Sequence, residues 1–511
     1  MPFHSILFEN ADAGTKRETP SAPGFFPDLN LDQVVDAVTA GREEYNLKPF
    51  FYAPLNDTGA IAYRQEIMRD LEDDNLLKNI KTFAGSMQVM RRQLALAEKL
   101  EYKYHKEGWF LETVAVYCEA VNRLARDLAL ADLKSRGLLS FRGYLAAYAG
   151  SREFASLLAG TKQLKSELSA VKYSLLIQAN HVTVREYAGE ADYSAEVEKT
   201  FAKFKQGAVK DYRREYAPGP EMNRVEAGIL DLVAGLRPRL FPALGRYCAK
   251  NRGYLDGKTD VFDREIQFYL AWLEYSAAFK RAGLKLCYPR LSAESKEVRA
   301  DEVYDPALAR KLIAAGSPVI TNDFCLKGKE RIFVVTGPNQ GGKTTFARAF
   351  GQLHYLAALG CPVPGREARL FLFDRLFTHF EKEEDIANLR GKLHDDLVRM
   401  REILALATPR SIIIMNEIFT STTVKDAVYL GGKLAEKIIK LDALCVLVTF
   451  IVELASLGEK TVSVVSTVHP ENPALRTYKL LRRPADGLSY AVSIAEKYRL
   501  TYGSLKERLK P

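Results

Sequence analysis

Two short stretches carry residue types and spacings suited to handling phosphate. Thr336 to Thr345 read TGPNQGGKTT, in which Gly337, four intervening residues and then Gly342-Lys343-Thr344 reproduce the spacing of a phosphate-binding loop. In such a loop backbone N–H groups and a helix N-terminus point at phosphate oxygens, and glycines are required because side chains would block the close approach. Gly337, Pro338, Asn339, Gln340, Gly341, Gly342, Lys343, Thr344 and Thr345 are therefore the candidate phosphate contacts. Lys343 neutralises the β- and γ-phosphates, and the Thr344 hydroxyl binds Mg²⁺. The second stretch is Ser411 to Glu417, SIIIMNE, an apolar run ending in Asn416 and Glu417. A buried strand ending in a polar residue followed by Glu sets a Mg²⁺-side ligand and a water-activating carboxylate beside a γ-phosphate. Asn416 supplies an acceptor without charge, which predicts weaker metal binding, and Glu417 is the candidate general base. The competing readings are an ordinary Gly-rich βα turn and a surface glutamate at a strand end.

The surrounding pattern supplies the elements these residues need. Apolar runs at Ile332–Val335, Leu370–Phe373, Ile412–Met415, Cys445–Thr449 and Val462–Ser466 alternate with helical stretches, predicting βα units on a mostly parallel sheet over residues 300–511. Before it, residues 29–290 read as helical. Phe83, Met87, Met90 and Leu94 step by four, three and four, Phe154 to Val171 continue that spacing, and Ile266 to Phe279 form an aromatic-rich helix. Such stripes are bundle core more often than binding surface. The expected fold is thus α/β plus all-α, with a boundary near the Pro- and charge-bearing segment of residues 288–305.

Within the helical part, Val171 to Tyr187 has β-branched and apolar residues on both sides of Ala179-Asn180, which predicts a hairpin. The segment from Glu196 to Arg214 then carries Lys199, Lys203, Lys205, Lys210, Arg213 and Arg214 against three acidic residues. These six are candidate nucleic-acid contacts, with a solvated helix face as the plainer reading. Residues 1–28, rich in small, polar and breaker residues, read as a mobile or extended lead-in.

Composition narrows the class. The 511 residues are 47% hydrophobic and 27% charged, proportions of a soluble globular chain of several domains. The apolar run from Leu444 to Val452 is too short to span a bilayer, and Met1 to Gly14 lacks the pattern of a signal peptide. The six cysteines show no C-x-x-C pair, consistent with reduced thiols in a cytoplasmic protein. A net charge of +9 permits a polyanionic partner without establishing one.

Taken together, the C-terminal motifs resemble the ATPase domain of the MutS family of DNA mismatch repair proteins, a branch of the ABC-type ATPases. TGPNQGGKTT is similar to that family's TGPNMGGKST, Gly360 and Pro364 fall at its G-x-x-V-P segment, and Phe373 to Thr378 resembles its D-R-I-F-T stretch. Met415 to Ile418 with Thr422 and Asp426 resembles M-D-E-I-G-R-G-T-S…D-G, and the segment from Ala485 to Tyr498 its A-x-x-S-Y-G-I-x-V-A helix start. Pro318 to Asn322 resembles the strand bordering the adenine, which adds Val319 and Ile320 to the expected nucleotide contacts. More weakly, residues 29–290 look like the family's lever helices, with Val171 to Arg214 as a clamp on DNA. The N-terminal mismatch-reading and connector domains are not expected here, nor is a nuclease-like tail. A Phe-x-Glu tripeptide at Phe110-Leu111-Glu112 lies in a helical pattern and is read as coincidence.

The resemblance implies ATP and Mg²⁺ as cofactors, a homodimer sandwiching two ATP molecules, and DNA as partner. Structured RNA, a ribosome or another protein is the alternative. Three departures from the family pattern imply slow hydrolysis. Asn416 stands where Asp is usual. Gly391 and Lys392 stand in Arg390-Gly391-Lys392-Leu393 where R-S-T-F places a serine that reaches the partner's γ-phosphate, so the Gly391 N–H or the Lys392 ammonium is the expected substitute. Phe450, after Thr449, stands where a γ-phosphate-sensing His is usual. Losing one charge-stabilising donor costs roughly 10²–10³ in rate at catalytic sites.

Overall fold

Runs such as Ile332–Thr336, Ile412–Asn416 and Leu444–Val448 are apolar almost throughout, and each of their residues is buried, because helices and loops cover both faces of the sheet they form. The computed structural model describes residues 3–10, 18–179, 181–190, 196, 199–200, 221–381, 391–472, 475–485, 500–502 and 505–506. Its strands in chain order are β1 (Tyr173–Gln178), β2 (His181–Glu186), β3 (Leu286–Cys287), β4 (Arg290–Ser292), β5 (Val298–Val303), β6 (Asn322–Leu326), β7 (Ile332–Thr336), β8 (Val363–Pro364), β9 (Glu367–Phe371), β10 (Leu376–Phe380), β11 (Ile412–Asn416), β12 (Leu444–Val448), β13 (Thr461–Val468) and β14 (Arg476–Arg482).

The chain is mixed helical and sheet, and its largest sheet is mostly parallel. Six strands run in the order β10-β11-β12-β7-β13-β14, with every pairing parallel except β13 with β14. A second sheet, β4-β9-β5-β6, is mixed. Two expectations shift here. The apolar run at Leu370–Phe373 forms β9 of the mixed sheet, and the parallel edge strand is β10, which starts after the turn at Asp374-Arg375. Asp374 pins that turn by accepting hydrogen bonds from Ser411 Oγ at 2.9 Å and Thr408 Oγ1. The strand expected at Pro318–Asn322 begins only at Asn322, so Val319 and Ile320 precede it, and Ile320 is 37% exposed.

Two compact units divide the chain discontinuously. One comprises residues 1–3, 71–133 and 138–263, the other residues 4–70, 134–137 and 264–511. In the first, helices Asp74–Lys99 and Lys103–Leu130 lie against each other, with Phe83, Met87 and Met90 buried. Asp73 caps the former by accepting the Leu76 N–H at 2.8 Å. β1 and β2 pair antiparallel around Ala179, whose φ of 49° makes the tight reversal, and Leu175, Leu176 and Ile177 remain exposed. Of the six basic candidates after this hairpin, Lys199 is exposed, and Lys203, Lys205, Lys210, Arg213 and Arg214 lie outside the described residues.

In the second unit, residues 4–70 pack on the helix Lys343–Ala358. An added Cβ at Gly351 would meet Leu29 Cδ1 and Ile414 Cδ1, each at 2.7 Å, so only glycine lets these elements close together. Gln352 Nε2 donates to the Leu29 carbonyl at 2.7 Å and Tyr355 Oη to the Phe51 carbonyl at 2.8 Å. Phe26, near the end of the segment that composition marks as a lead-in, is fully buried with its ring edge-on to Tyr355. Among the described residues no helix is long and apolar enough to cross a membrane.

Candidate functional site

β7 delivers the chain into the glycine-rich loop, and the helix Lys343–Ala358 carries it away. Gly337 at φ 116° and Gly342 at φ 92° adopt backbone that suits glycine, and Gln340 at φ 59° completes the reversal. The loop lies on the neighbouring strand β13. A Cβ on Gly337 would meet the Ser466 carbonyl oxygen at 2.9 Å, one on Gly341 would meet Ser466 Oγ at 2.3 Å, and Ser466 Oγ donates to the Gly341 carbonyl at 2.6 Å.

Lys343 is the charged centre of this loop. Its side chain is buried, and Nζ donates to the Gly337 carbonyl at 3.0 Å, the Pro338 carbonyl at 3.1 Å and Asn339 Oδ1 at 3.1 Å. Burial lowers its pKa from the usual lysine value; Glu417 opposes that shift, and Arg476 reinforces it. Glu417 Oε1 stands 4.0 Å from Nζ, with the Glu417 side chain a third exposed.

Thr344 and Asn416 meet directly. Thr344 Oγ1 donates to Asn416 Oδ1 at 2.9 Å, joining the first turn of the helix to the end of β11. Adjacent ligands of an octahedral cation at 2.0–2.1 Å lie about 2.9 Å apart, so these two oxygens fit one edge of a Mg²⁺ shell. Neither is charged, and Glu417 is the carboxylate beside them. Immediately after β11 the backbone turns sharply. Glu417 has φ 56° and Phe419 φ 60°, both unusual for non-glycine residues, and the Glu417 N–H donates to the Val448 carbonyl at 2.9 Å.

The candidate trans contacts stand at another helix. Gly391 is the N-cap of Lys392–Leu406 with φ −68° and ψ 149°, and Lys392 pairs with Glu381 on its own chain. Arg390 lies outside the described residues. At the end of β12, Thr449 is buried and Phe450 is 52% exposed. The segment expected to border the adenine is adjacent to β14: Asn322 Nδ2 donates to the Tyr478 carbonyl at 3.0 Å, and a Cβ on Gly342 would come within 3.7 Å of that same oxygen. Residues 486–499, which include most of the expected C-terminal helix start, lie outside the described residues.

Several participants give no sequence signal. Asp28 Oδ2 accepts from Thr378 Oγ1 at 2.5 Å and Arg399 Nη2 at 3.4 Å, and its carbonyl accepts from Arg348 Nε at 2.9 Å. One residue thereby ties the phosphate-loop helix, β10 and the helix Lys392–Leu406 together. Arg476 Nε, donating to the Asn339 carbonyl at 3.2 Å, and Ser466 act likewise from β14 and β13. Their spacing from the glycine loop exceeds any local motif.

Residues 333–502 match the family model described as MutS domain V. MutS protein homolog him-14 of Caenorhabditis elegans is 26% identical over 181 residues, which cover 35% of this chain and 21% of that protein. The match thus spans about a fifth of the length of that curated relative. The glycine loop on β7, the Thr344–Asn416 contact and Glu417 all lie inside the residues that match this family model.

Proposed function

We propose that the C-terminal part is an ABC-type P-loop ATPase that binds ATP with Mg²⁺ and hydrolyses it slowly. The observation that carries this reading is the convergence of Lys343 and Thr344, at the start of the helix that follows β7, with Asn416 and Glu417, at the end of β11. Gly337 to Thr345 hold the phosphates, and Val319 and Ile320 remain the proposed border of the base. Mg²⁺, held by Thr344 and Asn416, supplies charge neutralisation at the phosphates. Glu417 accepts the proton of the attacking water. The neutral Asn416, the absent hydroxyl at Gly391 and the non-donating Phe450 account for slow turnover.

In the same reading residues 29–290 act as levers and a clamp, two copies close around two nucleotides, and the polyanion gripped is DNA in repair or recombination. The family match favours DNA over the RNA, ribosome or protein partner that composition alone leaves open. Lys199, Lys203, Lys205, Lys210, Arg213 and Arg214 are the proposed backbone contacts. Shifting an open-closed equilibrium from 1:99 to 99:1 takes about 5.5 kcal/mol of differential affinity, within reach of composite sites contacted from both chains.

Calorimetric titration tests the premise. ATP with Mg²⁺ binds the wild-type protein, Lys343→Ala abolishes the heat, and Glu417→Gln retains nucleotide while turnover stops. Retained affinity in Lys343→Ala removes the reading, and unchanged turnover in Glu417→Gln reassigns the base. Sedimentation with and without ATP, Mg²⁺ and branched DNA reads the dimer and the partner in one experiment.

A further inference from the structure

Glu417 sits in a backbone that does not hold itself. With Glu417 at φ 56° and Phe419 at φ 60°, two non-glycine residues within three are left-handed. Such a residue is strained and persists only where its surroundings over-determine it. Part of that determination is hydrophobic, since Ile418 and Phe419 are both buried in the cluster around Ile413, Met415 and Leu434. The polar part comes from the Val448 carbonyl, which accepts the Glu417 N–H, and from Asp396. Its Oδ2 accepts the Phe419 N–H at 3.3 Å, and its Oδ1 accepts from His379 Nε2 at 2.8 Å, with His379 only 4% and Asp396 only 8% exposed.

The two partners come from elements on either side of the loop. His379 lies on β10, in register with Met415 on β11, so its ring is fixed by the sheet one residue before Asn416 pairs with Phe380. Asp396 lies in the second turn of the helix that Gly391 caps. A second, exposed link joins the same elements: Glu381, following β10, pairs with Lys392 and accepts from Thr420 Oγ1 at 3.5 Å. Any force on the N-terminus of this helix, at Gly391 and Lys392, therefore reaches the turn that carries Glu417.

We propose that Asp396, oriented by His379, is a positioning residue that sets the Glu417 turn and makes the placement of its carboxylate depend on the helix beginning at Gly391. The inference rests on the reading of Glu417 as the water-activating group. His379 holds one oxygen so that the other faces the Phe419 amide, and loss of either partner frees the turn without touching the phosphate loop.

The test uses the full chain with Asp396→Asn and Asp396→Ala, plus His379→Gln. Turnover falls at least about tenfold while the Kd for ATP stays within about threefold, since the loop around Lys343 is intact. In the nucleotide-trapping Glu417→Gln background Asp396→Asn leaves the Kd for ATP within about threefold, because it acts on the Glu417 turn and not on the phosphate loop; a larger loss of affinity overturns the assignment. Hydrogen exchange supplies a readout independent of catalysis: in Asp396→Asn the 417–420 amides exchange at least about tenfold faster, while the amides of β7 and β12 do not change. Unchanged exchange at Phe419 overturns the tether. A wild-type protein without turnover, but with the exchange response, removes the ATPase reading and leaves the tether standing. Should Asp396→Ala not fold, Asp396→Asn and His379→Gln still decide, because both keep the size of the buried group.

Discussion

At Gly337 an added Cβ would meet a backbone carbonyl at 2.9 Å on a φ of 116°, whereas at Gly391 it would meet nothing within 4 Å on a φ of −68°. The first glycine is dictated by the loop. The second is a choice that the backbone does not require. Gly391→Ser therefore fits without strain, and its hydroxyl caps the helix Lys392–Leu406, adding a few tenths of about 1 kcal/mol. If that helix end faces the partner's nucleotide, the same hydroxyl raises turnover at least about tenfold, in a manner that depends on protein concentration. Steady-state rates at several concentrations, with ATP affinity as the control, check this; a rate that does not move separates Gly391 from the chemistry. The glycine loop, Lys343, Thr344 and the Asn416-Glu417 pair were legible because their chemistry is written in consecutive residues. Asp28, Ser466 and Asp396 were not, since each acts through one contact with a segment distant in sequence and is an ordinary polar residue in its own neighbourhood.

Among the elements, the helix Val424–Leu441 ends at Asp442, a left-handed C-cap with φ 63°. Its carboxylate gathers three cations: Lys296 Nζ at 2.8 Å, Lys460 Nζ at 2.7 Å and Arg331 Nε at 3.1 Å. Burial opposes ionisation here, but hydrogen bonds from Lys296 and Lys460 and the charge of Arg331 outweigh it and hold the pKa well below the usual carboxylate range. A folded pKa below the unfolded one gives stability that is fully present above the unfolded value, about 3.9, and lost as pH falls through the folded value. Asn tolerates the left-handed conformation, so Asp442→Asn isolates the charge. Urea unfolding finds the variant less stable at pH 7, with the gap closing below about pH 4; a gap that persists in acid assigns the effect to shape. Element types followed from periodicity in β7, β11 and β12, where continuous apolar runs mark strands covered on both faces. Periodicity could not distinguish β9 from β10, two neighbouring apolar stretches that enter different sheets, because sheet membership is decided by partners and not by local pattern.

For the molecule as a whole, the sheet-bearing unit draws on residues 4–70 as well as 264–511. Arg64, fully buried, donates to the carbonyls of Leu7 at 3.1 Å and Leu359 at 3.0 Å, and Leu29 fills the space beside Gly351. A fragment of residues 300–511, cut where composition changes, leaves those surfaces of the helix Lys343–Ala358 bare. It is expected to lack a cooperative thermal transition, measured by near-ultraviolet circular dichroism, and a melt matching the full chain disproves the dependence. The composition shift near residues 288–305 was visible, but the return of residues 4–70 to the sheet was not, since helical periodicity says which face is apolar and not what covers it. The Arg348 bond to the Asp28 carbonyl spans 320 residues. At 5–20 residues per second, synthesis separates those partners by on the order of 15–60 s. Phe26, which packs edge-on to Tyr355 in the finished protein, spends a comparable interval of synthesis without that partner.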